Sequence, residues 1–270
     1  MKRSKIYCAG AGLILAGAAA LGAGMFVLGG RPGFYIDITG IHLDGAEGDG
    51  FTLKKSTLDA FASAKITLDY CDLRIIPSDE FAIEGRLAGR RGKPEIQVKD
   101  GELLLKEKAG KGVGAHFMSF GFSDLEESYL NLYVPEEAVL AGVDIDSDAG
   151  DVHAESLEAE SLHIRAAYGD VELQEVKADS LEVYLEAGDL EAEDLLVTRM
   201  DARNAYGDVE LSLLEAADEY SMDLKNEYGS IEAPGGGELF EEDGRSVYQV
   251  KRSGDRSIQV FCEAGNIAIR

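Results

Sequence analysis

Four Gly-Asp pairs, Gly150-Asp151, Gly169-Asp170, Gly188-Asp189 and Gly207-Asp208, follow one another at a constant interval of 19 residues, and no other feature limits more narrowly what this chain can fold into. A fixed period of this order marks a repeat architecture in which each unit is one small supersecondary element. The register extends to the neighbours of each pair. Val152, Val171, Leu190 and Val209 follow the Asp residues, and Ala154, Leu173, Ala192 and Leu211 stand two residues further on. Before each Gly come Val143 and Ile145, Leu162 and Ile164, Leu181 and Val183, and Met200 and Ala202, with mostly charged or polar residues between them. Alternation of this kind belongs to a half-buried strand, so each unit reads as strand, Gly-Asp bend, strand. Glycine at the bend implies a positive φ that only Gly adopts cheaply. The Asp beside it is expected to bond the local turn backbone. These eight residues are therefore read as structural turn residues.

A unit of 19 residues is too short to bury its own apolar face, so neighbouring units must stack and share a continuous core. The expected fold is all-β, a single-stranded β-solenoid (β-helix-like). A meander of hairpins with Gly-Asp at each tip is the alternative, and equal unit length with like-on-like positions favours the coil. Diverged copies appear at Tyr70-Cys71-Asp72-Leu73, Tyr228-Gly229-Ser230-Ile231 and Ala264-Gly265-Asn266-Ile267, which extends the repeat domain over 61–270. The residue before Gly alternates small and large, as Ala149, Tyr168, Ala187, Tyr206, an order easier to pack than a column of rings. Asn204 and Asn226 occupy matching inward positions, as an asparagine ladder requires. Pro94 to Glu107 reads as a hairpin around Asp100-Gly101. The Gly-rich stretch from Gly110 to Phe122, carrying Phe117, Met118 and Phe120, reads as a loop folded onto the end of the stack. Arg86, Arg90, Arg91 and Lys93 read as a solvated basic face.

Ahead of the repeats, the 23 positions from Ile6 to Leu28 carry no charge, enough for roughly 34 Å of helix at about 1.5 Å per residue. Lys2, Arg3 and Lys5 precede this run, and the positive-inside bias then places the N-terminus in the cytoplasm and the remainder outside. The expectation is a single-pass cell-membrane protein, with a cytoplasmic tip and transmembrane anchor over 1–30, a juxtamembrane linker over 31–60 and the repeat domain outside. A cleaved signal peptide ending near Ala18-Ala19-Ala20 is the competing reading. The formal net charge of −25 excludes nucleic acid as a partner and favours cations and basic surfaces. Cys8, Cys71 and Cys262 show no C-x-x-C spacing, and Cys71 and Cys262 are expected to be buried thiols that do not pair with each other.

The chain resembles the bacterial putative-adhesin family of β-strand-repeat domains of unknown function, similar to the head-domain adhesins of Bacteroidetes. The resemblance rests on the N-terminal apolar segment, on Leu132-Tyr133-Val134-Pro135 entering the repeats, and on Tyr-Gly-Asp-Val-Glu-Leu at Tyr168 to Leu173 and Tyr206 to Leu211. It covers roughly residues 61 to 270. It implies a β-helix-like fold and a surface or envelope-stress role, and it brings no catalytic residue with it.

The most specific site pattern is Asp144, Asp146, Asp148 and, at the twelfth position counted from Asp144, Glu155, a spacing that mimics a calcium loop. Ala149 stands where such a loop needs Gly, and Val143, Ile145 and Val152 ask for a strand. Outward carboxylates on a β-face are the plainer reading. His42, His116, His153 and His163 form no metal pair at helical spacing, and His153 and His163 fall on outward strand positions. No nucleophile elbow, phosphate loop or dinucleotide fingerprint is present, and no cofactor is implied. The expected function is a non-catalytic, membrane-anchored surface module or binding scaffold facing a protein or surface-polymer partner. The alternative is an envelope-stress component that binds a membrane partner or a cationic antimicrobial. A polysaccharide-acting β-helix enzyme is the weakest reading, because carboxylate pairs are inevitable in so acidic a chain.

Overall fold

Alternation of apolar and polar residues lets a strand bury one face only, and stacked strands of this kind generate two sheets whose inner faces share one core. The computed structural model of the chain describes residues 33–37, 40–44, 51–87, 93–107, 118–121, 128–242 and 244–270. The expected anchor at Ile6 to Leu28 lies outside the described residues. Among those described, no helix is long and apolar enough to cross a membrane. The chain divides into two units, 1–49 with 110–126, and 50–109 with 127–270.

In the smaller unit, Gly33–Asp37 pairs antiparallel with Gly40–Asp44 and with Met118–Gly121. Part of the stretch expected as a loop is thus a strand, and part of the region expected as a linker forms sheet. In the larger unit, Phe51–Thr57 pairs with Ala82–Leu87, so the sheet includes residues ahead of position 61.

Each repeat of the larger unit is a rung of two strands meeting at the Gly-Asp corner. Gly142–Ala149 turns at Gly150 into Val152–Glu155, Glu158–Tyr168 turns at Gly169 into Val171–Gln174, and Lys177–Ala187 turns at Gly188 into the next strand. That strand, Leu190–Tyr206, crosses both sheets and turns at Gly207 into Val209–Leu213. Rungs pair parallel and in register, with Val152 on Val171 and Val171 on Leu190 in one sheet. In the other, Ile145 lies on Ile164 and Ile164 on Val183. Every inward residue expected from the alternation is buried, from Val143 and Ile145 to Val209 and Leu211. The chain is therefore a stack of repeats with a continuous core, as the period requires, rather than a series of separate hairpins.

The corner holds the stack closest. Gly150, Gly169, Gly188 and Gly207 have φ between 128° and 145°, a range in which a side chain is strained. A Cβ on Gly150 would lie 2.5 Å from the Cys71 carbonyl oxygen, and one on each later Gly would collide with the carbonyl of the Gly in the neighbouring rung. Contrary to the expectation from sequence, the Asp residues bond the neighbouring rung and not their own turn. Each accepts from the rung stacked on it: Asp151 N–H donates to Asp72 Oδ1 (3.0 Å), Asp170 N–H to Asp151 Oδ1 (2.9 Å), Asp189 N–H to Asp170 Oδ1 (2.8 Å) and Asp208 N–H to Asp189 Oδ1 (2.7 Å). Asn266 N–H continues the ladder onto Asp208 Oδ1 at 2.7 Å. A backbone bond to a carboxylate is worth about 1.5–3 kcal/mol. Repulsion between like charges one strand spacing apart costs about 1 kcal/mol in bulk water. The ladder therefore holds despite its charge.

At the ends of the stack, spatial order departs from chain order. Ser257–Ala264 and Ile267–Ile269, the C-terminal rung, insert between the Gly207 rung and Ser221–Tyr228 with Ile231–Glu232. The expected asparagine ladder is accordingly not formed. Cys262 lies between Asn204 and Asn226, and each amide instead donates to a corner carbonyl, Asn204 Nδ2 to Gly188 O (2.9 Å) and Asn226 Nδ2 to Gly265 O (2.7 Å). The insertion preserves the alternation before Gly, since Ala264 separates Tyr206 from Tyr228. These tyrosines are exposed rather than packed inside, at 61% for Tyr206 and 68% for Tyr228. At the other end the Asp100-Gly101 hairpin joins Glu95–Lys99 to Glu102–Lys106 as expected, with φ of 53° and 80°. Next to it, Glu107 Oε2 accepts from Asp69 and Tyr70 N–H, both at 2.8 Å.

Two substitutions separate these effects. Gly188→Ala should destabilise the domain by about 2 kcal/mol or more, through positive φ and contact with the neighbouring backbone. Asp189→Ala should cost about 1 kcal/mol, whereas Asp189→Asn, which keeps the acceptor and removes a repelling charge, should leave thermal stability unchanged or raised. Equal losses for the Ala and Asn variants in denaturant unfolding would show that the ladder is not held by this acceptor.

Candidate functional site

The outer face of the longer-strand sheet carries charged and aromatic side chains in register. One column runs Asp146, Arg165, Tyr184, Arg203, Phe261, Lys225, each residue paired with the next across neighbouring strands. The period-two rule turns all of them outward, opposite the buried Ile164, Val183, Ala202 and Val260. Beside it, two residues along each strand, stand Asp148, Ala167, Glu186, Ala205 and Glu263. The two columns border a groove of about 550 Å³ that spans five rungs.

Charges in the first column are held rather than loose. Arg165 Nε donates to Asp146 Oδ1 at 2.6 Å and its Nη2 lies 3.4 Å from Asp144 Oδ1, and the bond to Asp146 holds the guanidinium pKa above its usual value. Arg203 Nε donates to Asp201 Oδ1 at 3.3 Å and its Cζ lies 5.6 Å from the centre of the Tyr184 ring. The His163 ring meets Tyr184 edge-on at 5.7 Å. Partial burial pushes the Asp223 carboxyl up, yet hydrogen bonds from Lys225 (2.8 Å) and Gln249 (3.1 Å) outweigh it and hold the group below its ordinary range. Exposed pairs of this kind add little stability. They fix side-chain directions on a rigid face.

A second polar cluster lies on the shorter-strand sheet. Tyr133 O–H donates to Glu84 Oε1 at 2.7 Å and Asn131 Nδ2 to the same oxygen at 3.2 Å, with Lys55 Nζ 3.7 Å from the Tyr133 ring centre. The Tyr133 bond, followed by that of Asn131, draws the Glu84 carboxyl below its usual pKa.

The four residues of the calcium-like spacing are not brought together. Asp144, Asp146 and Asp148 lie on the strand Gly142–Ala149 of one sheet, and Glu155 ends Val152–Glu155 on the other. Asp144 and Asp146 are engaged by Arg165, with Lys65 at 3.7 Å and His163 at 3.7 Å from Asp144. Among the described residues no three His, Cys, Asp or Glu groups form a cluster able to hold a metal ion. His153 and His163 face outward as expected, beside Glu172 (3.1 Å) and Glu182 (3.5 Å). The eight Gly and Asp turn residues form the corner. Cys71 and Cys262 are buried on rungs separated by four others, and burial pushes the Cys262 thiol up to about 11. Millimolar calcium should leave the thermal midpoint of the chain unchanged, and a rise of several degrees would contradict this account of the acidic residues.

The crystal structure of a putative cell adhesion protein from Clostridium sporogenes is 14% identical and superposes with a TM-score of 0.51, covering 82% of this chain and 99% of that one. A putative adhesin from Bacteroides fragilis is also 14% identical, with a TM-score of 0.46 over 82% and 97% of the two chains. A putative lipid binding protein from Parabacteroides distasonis is 11% identical, with a TM-score of 0.35 over 83% and 97%. Among curated proteins none matches the chain. The profile of Toastrack DUF4097 matches residues 63–215, the span that holds the Gly-Asp rungs from the Cys71 corner through Gly207, and the chain belongs to the Toastrack DUF4097 family.

Proposed function

We propose that the chain is a non-catalytic binding module, an adhesin-like scaffold displayed outside the cell membrane on its N-terminal apolar segment. The observation that carries this reading is the regular outer face. Side chains on a stack locked at every corner stand in straight columns, which preorganises an extended contact surface and lowers the ordering cost of binding. Acidic excess over the whole chain, −25, keeps such a surface soluble and favours basic or neutral partners over anionic ones. Lys2, Arg3 and Lys5 ahead of an uncharged run long enough to span a bilayer support the anchor and its orientation.

Chemical crosslinking on intact cells followed by affinity capture of the full-length chain tests the proposal. Recovery of an envelope polymer or an extracellular ligand is the expected result. Recovery of a membrane sensor alone would favour a signalling component. Capture of cytoplasmic proteins only would overturn the reading.

A further inference from the structure

The groove on the longer-strand sheet has a period of its own. Arg165 and Ala167 stand on one rung, Tyr184 and Glu186 on the next, Arg203 and Ala205 on the third, and Phe261 and Glu263 on the fourth. The pattern Arg with Ala, then ring with Glu, occurs twice, and its final member comes from the inserted C-terminal strand. A bound chain therefore meets the same environment every two rungs, or about 9.6 Å. Tyr184 is half-buried and Phe261 is 37% exposed, so both rings border the groove with part of their surface open. Ala167 and Ala205 leave room beside the two guanidinium groups.

We propose that this groove binds a linear β-1,4-linked oligosaccharide, an assignment that rests on the binding-module reading and gives it a ligand class. In such a glycan alternate rings are turned over, so the chain repeats every two sugars, a length close to the two-rung distance. The apolar faces of its rings suit Tyr184 and Phe261. Its hydroxyl groups both donate and accept, which matches acceptor-only carboxylates at Asp148, Glu186 and Glu263 on one side and donor-only Arg165 and Arg203 on the other. With Asp146, Asp148, Glu186 and Glu263 against Arg165 and Arg203, the lining is net acidic, which selects against an anionic ligand and accepts a neutral one. An extended peptide repeats every two residues at about 6.6 Å and falls out of step. A polyproline helix comes near in pitch, with about 9.3 Å per three residues, but it has no N–H to offer the carboxylates. Five rungs span about 19 Å, room for about four sugar rings.

Calorimetric titration of the full-length chain in a sugar-free detergent tests this, with cellohexaose and chitohexaose as ligands and maltohexaose and decaproline as comparisons. Both β-1,4 hexasaccharides should bind, with affinity levelling off near the tetrasaccharide. Tyr184→Ala and Phe261→Ala should each weaken binding about tenfold, while Tyr168→Ala at the corner leaves it unchanged. Tyr184→Leu and Phe261→Leu, which keep bulk but lose the flat ring, give the same reading if the Ala variants melt. Absence of β-1,4 binding, equal binding of maltohexaose, tighter binding of decaproline, or indifference to both ring substitutions would overturn the assignment. If intact-cell crosslinking yields a protein ligand while no oligosaccharide binds, the groove's ligand is wrong and the module reading stands. Release of reducing ends from the hexasaccharides would instead overturn the non-catalytic reading.

Discussion

The structure depends on how closely neighbouring backbones approach at the Gly-Asp corner. Gly at this position lets the carbonyl of one rung lie where a side chain of the next would otherwise stand, and the adjacent Asp side chain reaches the N–H of the following Asp. Both contacts are satisfied in one register only, because a slip by one residue exchanges inward and outward faces. The corner therefore sets the alignment of every column, and the apolar columns of the core then supply the bulk of the stabilisation through burial. Locking by the corner and burial by the strands are separate contributions, and the fold needs both.

Fixed columns bring like against like, which suits apolar side chains and penalises charged or bulky ones. The chain resolves this by alternating two kinds of rung. Arg165, Tyr168, Arg203 and Tyr206 belong to one kind, and Tyr184, Ala187, Phe261 and Ala264 to the other. Stacked in chain order, the Gly207 and Gly229 rungs would set Arg203 against Lys225 and Tyr206 against Tyr228. The C-terminal strand enters between them and restores the alternation. The same device that avoids repulsion produces the repeating wall of the groove.

Much of this was legible in the sequence, and the reasons differ from residue to residue. Val143, Ile145, Leu162, Ile164 and their counterparts were readable because alternation reports burial directly, and each is buried. Gly150, Gly169, Gly188 and Gly207 were readable because few residues accept their φ. The second corner of each rung was not, since Ser156, Glu175 and Asp194 adopt φ near 50° without any Gly or Asn to announce it. The insertion of the C-terminal rung was hidden because a local pattern names a strand's inward face and not its neighbour, so Asn204 and Asn226 seemed adjacent where Cys262 intervenes. At Asp144 and Glu155 the strand alternation was a better guide than the calcium-like spacing, since the corner sends the two residues to different sheets. The groove had a partial trace in Arg165, Tyr184 and Arg203, but Phe261 joins it from a distant part of the chain.

The in-register stack with its inserted terminal strand is tested most directly by backbone nuclear Overhauser contacts in isotopically labelled protein. Interstrand contacts should link the paired positions Asp201 and Gln259, and likewise Gln259 and Asp223, with none between the strands of Asp201 and Asp223. Contacts joining those two strands directly, or antiparallel patterns across the Gly-Asp corners, would contradict the account.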